Sequence, residues 1–294
     1  MTGQEHLATP GVWYFTDGMS AGEAADFAGN LESLGYSALW LPDTIGRDPF
    51  SHIAWLASQT ATLTFATGIA SIFHRHPGPM KQVANTLGEQ SGGRFILGLG
   101  VSHGPMVAGL RGLDYSKPLT QMRKYLAAME EQPFRGPSPA EPVPIVLAAL
   151  GPKMLELAAS ASHGAHPYWT TPEHTARARE IMGADSLLCV EQKVCLSTDA
   201  IAARQAARAA ISLYADLPNY RNNWKRLGFT DEEIEHRDDR FIDAVVVWGD
   251  EDRVRQGIQA HYDAGATHVC IQPLSVESPV TLDHHALTVL APGA

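Results

Sequence analysis

The stretch Gly92-Gly93-Arg94-Phe95-Ile96-Leu97-Gly98-Leu99-Gly100-Val101-Ser102-His103 decides how the fold is read. A short apolar run is bounded in front by two glycines and an arginine and behind by Gly100, the punctuation expected of a strand. It ends in Gly-x-Gly, followed by a hydroxyl and an imidazole. Outward from it, similar β-type runs alternate with helical patterns, the signature of parallel strands joined by crossover helices. The runs fall at residues 11–15, 38–41, 63–69, 95–99, 143–147, 164–168, 187–196 and 268–272. Eight parallel strands close a barrel, so the expected architecture is α/β, a (β/α)8 TIM barrel forming one domain over residues 1–294.

Between the first two runs, Ala24, Ala25, Phe27, Ala28, Leu31 and Leu34 recur at helical spacing, and Gly35 follows where a helix would stop. Residues 202–214 and 254–264 repeat the amphipathic pattern. Two stretches break the rhythm: a glycine- and proline-containing loop at 101–118, after the fourth strand, and a polar insertion at 217–240, after the seventh. Long loops after barrel strands usually build or cover the active site. An open doubly wound sheet is the competing architecture. No GxGxxG opens a helix after the first strand, where the turn reads Phe15-Thr16-Asp17-Gly18-Met19-Ser20.

Composition narrows the function. With 45% hydrophobic and 18% charged residues, the 294-residue chain can bury a full core. A formal charge of -10 and the lack of any Lys/Arg-rich run argue against a nucleic-acid partner. Cys189, Cys195 and Cys270 are too few and too far apart for a disulfide framework or a zinc motif, which implies a reducing compartment and inert core thiols. The first ten residues carry no basic patch followed by an apolar run, and no stretch approaches the roughly 20 apolar residues that span a bilayer. The expectation is a cytoplasmic enzyme with a small-molecule substrate and no membrane association.

Several residues at strand ends can carry chemistry. The third strand closes at Gly68-Ile69-Ala70-Ser71, small at 68, 70 and 71, so a bulky ring could approach the backbone at Gly68; equally, Gly68 could relieve crowding at a barrel corner. In His74-Arg75-His76 the two histidines would point to opposite faces if extended, a poor metal pair, so no metal is expected and Arg75 is the candidate for a cofactor edge. At the fourth strand's mouth, Gly100, Val101 and Ser102 lead to His103, which titrates near neutrality and can move protons, or can simply cap a loop. In Gly151-Pro152-Lys153-Met154 a glycine and a helix-starting proline present free N–H groups for a phosphate, with Lys153 adding charge, though proline at a first helical position is also ordinary capping. Trp13, Phe15, Phe73, Tyr168 and Trp169 could wall an apolar substrate pocket.

Taken together, Ala38-Leu39-Trp40-Leu41-Pro42-Asp43, Thr67-Gly68-Ile69, the Gly92-to-Gly100 stretch, Gly151-Pro152-Lys153-Met154, His166-Pro167-Tyr168 and Ala264-Gly265-Ala266-Thr267-His268-Val269 resemble the luciferase-like monooxygenase superfamily. The likeness is greater to its actinobacterial branch that uses the deazaflavin coenzyme F420. The resemblance implies a bacterial-luciferase-like barrel, a non-prolyl cis peptide at Gly68-Ile69 backing the ring, contacts from Gly100 to His103, and phosphate binding by Gly151 to Met154. It also implies that two copies pair as a homodimer. Relatives that oxidise alcohols place a base histidine directly after the acidic residue ending the second strand; here Thr44 follows Asp43, and threonine cannot accept a proton near pH 7. His103 therefore becomes the expected acid/base, with Asp43 structural or polarising and Thr44 in the substrate pocket. Three functions follow: hydride transfer between F420 and an organic, apolar substrate; an FMN-dependent monooxygenase supplied by a partner reductase; or a non-catalytic flavin-binding barrel.

Overall fold

A computed structural model describes residues 7–278 and 281–293. Of the N-terminal ten residues read above, 1–6 lie outside the described residues. The strands are β1 (Gly11–Trp13), β2 (Ala38–Leu41), β3 (Thr64–Thr67), β4 (Ala70–Ser71), β5 (Phe95–Gly100), β6 (Ile145–Leu147), β7 (Gly164–Ala165), β8 (Leu187–Leu196), β9 (Val246–Gly249) and β10 (His268–Pro273). Around and above them run α1 (Ala21–Ser33), α2 (Pro49–Ser58), α3 (Pro77–Gln90), α4 (Pro118–Glu131), α5 (Pro152–Ala161), α6 (Pro172–Met182), α7 (Ala200–Ile211), α8 (Pro218–Arg226), α9 (Asp231–His236), α10 (Asp239–Val245), α11 (Glu251–Asp263) and α12 (His284–Val289). Among the described residues no helix is long and apolar enough to cross a membrane.

All the strand pairings are parallel. β1, β2, β3, β5, β6, β7, β8 and β10 form a ring that closes where His268 to Pro273 run beside Cys189 to Val194. Each of these contains or overlaps one of the eight expected strands. β4 and β9 were not separately foreseen. β4 resumes the line of β3 after the Gly68-Ile69 peptide, which is cis, and pairs with Leu99 and Gly100. β9 pairs only with the upper half of β8, Lys193 to Leu196. It follows α10 without an intervening turn, so no glycine or proline marks its start. β7 stops short of the expected residue 168, and Pro167, which has no N–H to give a ladder, stands just beyond it.

The two-residue period of the strands sorts side chains into layers. Val12, Leu39, Leu41, Phe65, Leu97, Leu147, Val190 and Ile271 face outward into the core shared with the helices. Trp13, Trp40, Ala66, Ile96, Val146, Cys189 and Cys270 fill the barrel interior. The insertion at 217–240 is folded rather than loose: α8, α9 and the start of α10 bury Tyr220, Trp224, Phe229 and Ile234 against Trp169 and Trp248. The 101–118 loop contains a π-helical turn, Pro105–Leu110. Cys189, Cys195 and Cys270 are free and buried, and burial pushes Cys189 up to about 12.

The glycines of the opening stretch divide by function. Gly92 and Gly93 have positive φ, 65° and 89°, which the turn into β5 requires. Gly98 and Gly100 serve close approach. A Cβ on Gly98 would stand 2.0 Å from the Thr67 carbonyl oxygen, and one on Gly100 would stand 2.7 Å from Ile69 Cγ2. Backbone cannot yield as a flexible side-chain tip can, so Gly98→Ala should destabilise the barrel by about 2 kcal/mol or more. Gly29→Ala, in α1 with nothing within 4 Å of the new methyl, should stabilise by about 0.5–1 kcal/mol. Urea unfolding of the two variants checks this; equal midpoints would contradict the packing argument.

Candidate active site

The floor of the site is a neutral, buried aromatic layer. Trp40 stacks on His166 at 4.3 Å and donates from Nε1 to His268 Nε2 at 3.2 Å. His166 donates from Nδ1 to the Cys189 carbonyl at 2.8 Å. Burial lowers His166 to about 4 and His268 to about 3. Above this layer Trp13 donates from Nε1 to the Gly68 carbonyl at 2.9 Å, and a Cβ on Gly68 would meet that nitrogen at 2.5 Å. Of the two readings of Gly68, relief of crowding is the one with a visible partner.

Three of the expected cofactor segments are contiguous. Ile69, in the bulge between β3 and β4, fills the space that a Gly100 side chain would need, and Ala148 closes the other side with its Cβ 3.1 Å from the same point. Ala148 in turn donates its N–H to the Leu99 carbonyl at 2.8 Å and leads into Gly151. Ser102, in the turn after β5, holds a left-handed backbone at φ 55°. Gly151 caps α5 with no side-chain hydrogen bond; Pro152 has no N–H, and the Met154 and Leu155 N–H groups donate to the Gly151 carbonyl at 3.0 and 3.1 Å, leaving the Lys153 N–H at the helix start. The Arg226 guanidinium lies 3.5 Å from where a Gly151 Cβ would stand. Sequence reasoning missed Arg226, which the insertion helix α8 delivers. Lys153 is exposed beside it, while Met154 packs partly into the core.

Other expected residues fall elsewhere. Asp43 Oδ2 accepts from His74 Nδ1 at 2.8 Å and from the Ser71 N–H at 3.2 Å, so a histidine does serve the second-strand carboxylate, from a position 31 residues later. Sequence reasoning passed over His74, because the His74–His76 pair suits no metal. Arg75, expected at the cofactor edge, instead pairs with Asp48 and Asp43 and lies over the Phe50 ring at 4.5 Å. Thr44 donates to Asp17 at 2.8 Å. Phe73 packs toward Tyr115 at 6.0 Å and lines a groove beside α4, away from the other aromatic candidates.

The remaining aromatic residues do gather at the mouth. Phe15 meets Trp13 edge to face at 4.7 Å, and Trp13 lies 5.1 Å from Tyr168. Trp169 corrects the expectation of a pocket wall: its side chain is buried against Trp224 and the other α7–α10 residues, and its backbone adopts φ 55°. His103 stands 5.6 Å from the Tyr220 ring and contacts the Asn219 side chain. Among the described residues its buried Nδ1 has no hydrogen-bond partner, and burial lowers its pKa, so the imidazole is neutral at pH 7. Asn219, Tyr220 and Arg226 thus bring one helix over the mouth from His103 to Gly151.

The model of the luciferase-like monooxygenase family matches residues 3–268. A Mycobacterium tuberculosis protein, named provisionally as a coenzyme F420-dependent oxidoreductase, is 26% identical over 86% of this chain and 91% of its own. An F420-dependent secondary alcohol dehydrogenase, solved with an F420-acetone adduct, superposes with a TM-score of 0.75 at 16% identity, covering 96% of this chain and 97% of that one. The F420-dependent tetrahydromethanopterin reductase of Methanopyrus kandleri gives 0.71 at 18% identity and 97% of both chains. Those structural likenesses establish the fold.

The buried histidines set a pH dependence. Their folded pKa values lie below the unfolded value near 6.5, so the unfolded chain binds more protons as pH falls through that value, and stability is lost. His166, His261 and His268, at about 4, 4 and 3, should together weaken the fold by several kcal/mol between pH 6.5 and 4. A urea midpoint unchanged between pH 7 and pH 5 would contradict neutral burial of these rings.

Proposed function

The chain belongs to the luciferase-like monooxygenase family, and from that premise we propose that it is an oxidoreductase transferring a hydride between coenzyme F420 and a small organic substrate. The observation that carries this reading is the continuity of the Ile69 bulge, Gly100 and Ala148, running toward an uncapped helix start beside Arg226. A flat ring lying along this line would have its phosphate at the helix end.

The donor set suits a phosphorylated ring cofactor. The Lys153 N–H and the dipole at the start of α5, the Arg226 guanidinium and the Lys153 side chain would form an anion site on the rim. Gly68, Ile69 and Ala70 would back the ring, and the turn from Gly100 through Val101 and Ser102 would flank it. A deazaflavin, when bound, supplies hydride chemistry at a ring carbon. His103 offers a neutral imidazole with a free nitrogen, able to take or give a proton. The Asp43–His74 pair sits at the β2 end, where Asp43 fixes the imidazole through Nδ1 and leaves Nε2 for a substrate. Phe15, packed on Trp13 at the mouth, would supply apolar surface for the substrate body.

Fluorescence titration of the purified protein with F420 and with FMN tests the reading. Saturable quenching by F420, with much weaker FMN binding, is expected; preferential FMN binding would move the chain to the oxygenases of its family. Arg226→Ala should weaken F420 binding about tenfold, and a salt dependence that flattens in the variant would tie the loss to the phosphate.

A further inference from the structure

Inside a barrel whose inner layer is otherwise mostly apolar, β8 places a carboxylate and an ammonium two residues apart on the same face. Lys193 Nζ lies 2.9 Å from Glu191 Oε1, with side-chain exposures of 1% and 0%. The same Nζ sits 3.7 Å from the centroid of the Tyr168 ring and 3.7 Å from that of Trp169. A buried pair gives little stability, since desolvating both charges offsets their attraction and an apolar replacement often does as well. Yet the surroundings hold this one firmly. Trp169 is fixed in a left-handed conformation that a bulky residue rarely adopts. Its N–H reaches Glu191 Oε2 at 3.4 Å, and its carbonyl accepts from Trp224 Nε1 at 2.9 Å.

Tyr168 is the member of this group that the mouth reaches, being partly exposed. Its hydroxyl donates to Gln272 Oε1 at 3.0 Å and lies 3.3 Å from the Tyr214 hydroxyl. We propose that Tyr168 is a proton-handling phenol of the active site, supported from behind its ring by the Glu191–Lys193 pair, rather than an apolar wall. The proposal rests on the hydride-transfer reading above.

The chemistry balances for a carbonyl substrate and a reduced deazaflavin. Hydride adds to the carbonyl carbon, the π electrons move to oxygen, the phenol O–H breaks, and its proton forms the alcohol O–H. The phenolate left behind keeps the Lys193 ammonium 3.7 Å from its ring centroid, and the Tyr214 hydroxyl, 3.3 Å from the phenol oxygen, is placed to return a proton. In the oxidising direction every step reverses. Burial, with Tyr214 and Glu191 nearby, keeps the phenol protonated until hydride arrives. Lys193 and Trp169 are positioning residues, because neither is open to the mouth.

The groups facing the phenol are Glu191 and Lys193 from β8, Tyr214 ahead of α8, and Tyr220 on α8. Burial raises both tyrosines and Glu191, while it lowers Lys193 to about 8. Lys193 thus changes charge near pH 8, being charged below that value and neutral above it.

The test uses the full chain with 3-fluorotyrosine at position 168 and no cofactor. Its fluorine resonance should shift with a midpoint near pH 8, and Lys193→Met should abolish that step while Lys193→Arg removes the midpoint but keeps the low-pH position. With F420 bound, Tyr168→Phe should keep coenzyme affinity and KM within about twofold while lowering kcat for small ketones by about 10²-fold or more. The wild-type kcat should fall above pH 8, and Lys193→Arg should move that limb to higher pH. A fluorine signal blind to Lys193, or Tyr168→Phe with undiminished kcat, overturns the proposal. Failure of the wild-type protein to bind F420 would instead overturn the hydride-transfer reading, and the cofactor-free resonance separates the two.

Discussion

Ile69 occupies the volume that side chains on Gly98 and Gly100 would need, and most of the site follows from that one exclusion. The Thr67 hydroxyl locks the arrangement, accepting from the Gly98 N–H and donating to the Gly98 carbonyl, both at 2.8 Å. With β3 held this close to β5, the chain can break its strand at Gly68-Ile69 and resume as β4 one step higher. That displacement puts the bulge on the barrel's upper rim, beside Gly100 and Ala148. Trp13 bonds to the Gly68 carbonyl and carries the constraint across the mouth to Tyr168.

The second organising element is α8. A barrel strand end is normally finished by its own loop, but here one helix from the insertion contributes at several points. Tyr220 reaches the His103 and Tyr168 rings, Trp224 fixes Trp169 through its indole N–H, and Arg226 stands beside Gly151. Its apolar anchor is the Trp224–Phe241 contact at 4.8 Å, part of a small core separate from the barrel's. The anion site and the proton-handling side of the mouth therefore share one support. Loosening α8 would disturb both, whereas a change in β1 or β2 would act through the Gly68-Ile69 bulge, which Trp13 and Leu41 bond.

Much of this was legible in the residues, and what was not has physical reasons. Alternating strand and helix patterns located all eight barrel strands, because each is a short apolar run bounded by turn residues. β9 escaped because Val246 continues α10 with no such boundary. The close approach of β3, β5 and Ala148 was readable from glycines, since a strand end without a side chain usually makes room for a close neighbour. Arg226 and His74 were not, since their partners Gly151 and Asp43 lie 75 and 31 residues away and only the closed barrel brings them together. Glu191 and Lys193 did leave a signal. Two opposite charges at i, i+2 within a strand share a face, and within Cys189-Val190-Glu191-Gln192-Lys193-Val194-Cys195 that face had to be the barrel interior. Trp169 was misplaced because an aromatic residue at a strand end looks the same whether it walls a pocket or plugs a core.

The central claim is that the Ile69 bulge, the Gly100 turn and the α5 start form one cofactor slot. A crystal structure of the protein with F420 tests it most directly. The account predicts the deazaflavin ring against Gly68-Ile69 and the phosphate at the α5 start, beside the Lys153 N–H and within reach of Arg226. A coenzyme whose phosphate lay instead in the groove beside α4, between Lys117 and Lys124, would contradict it.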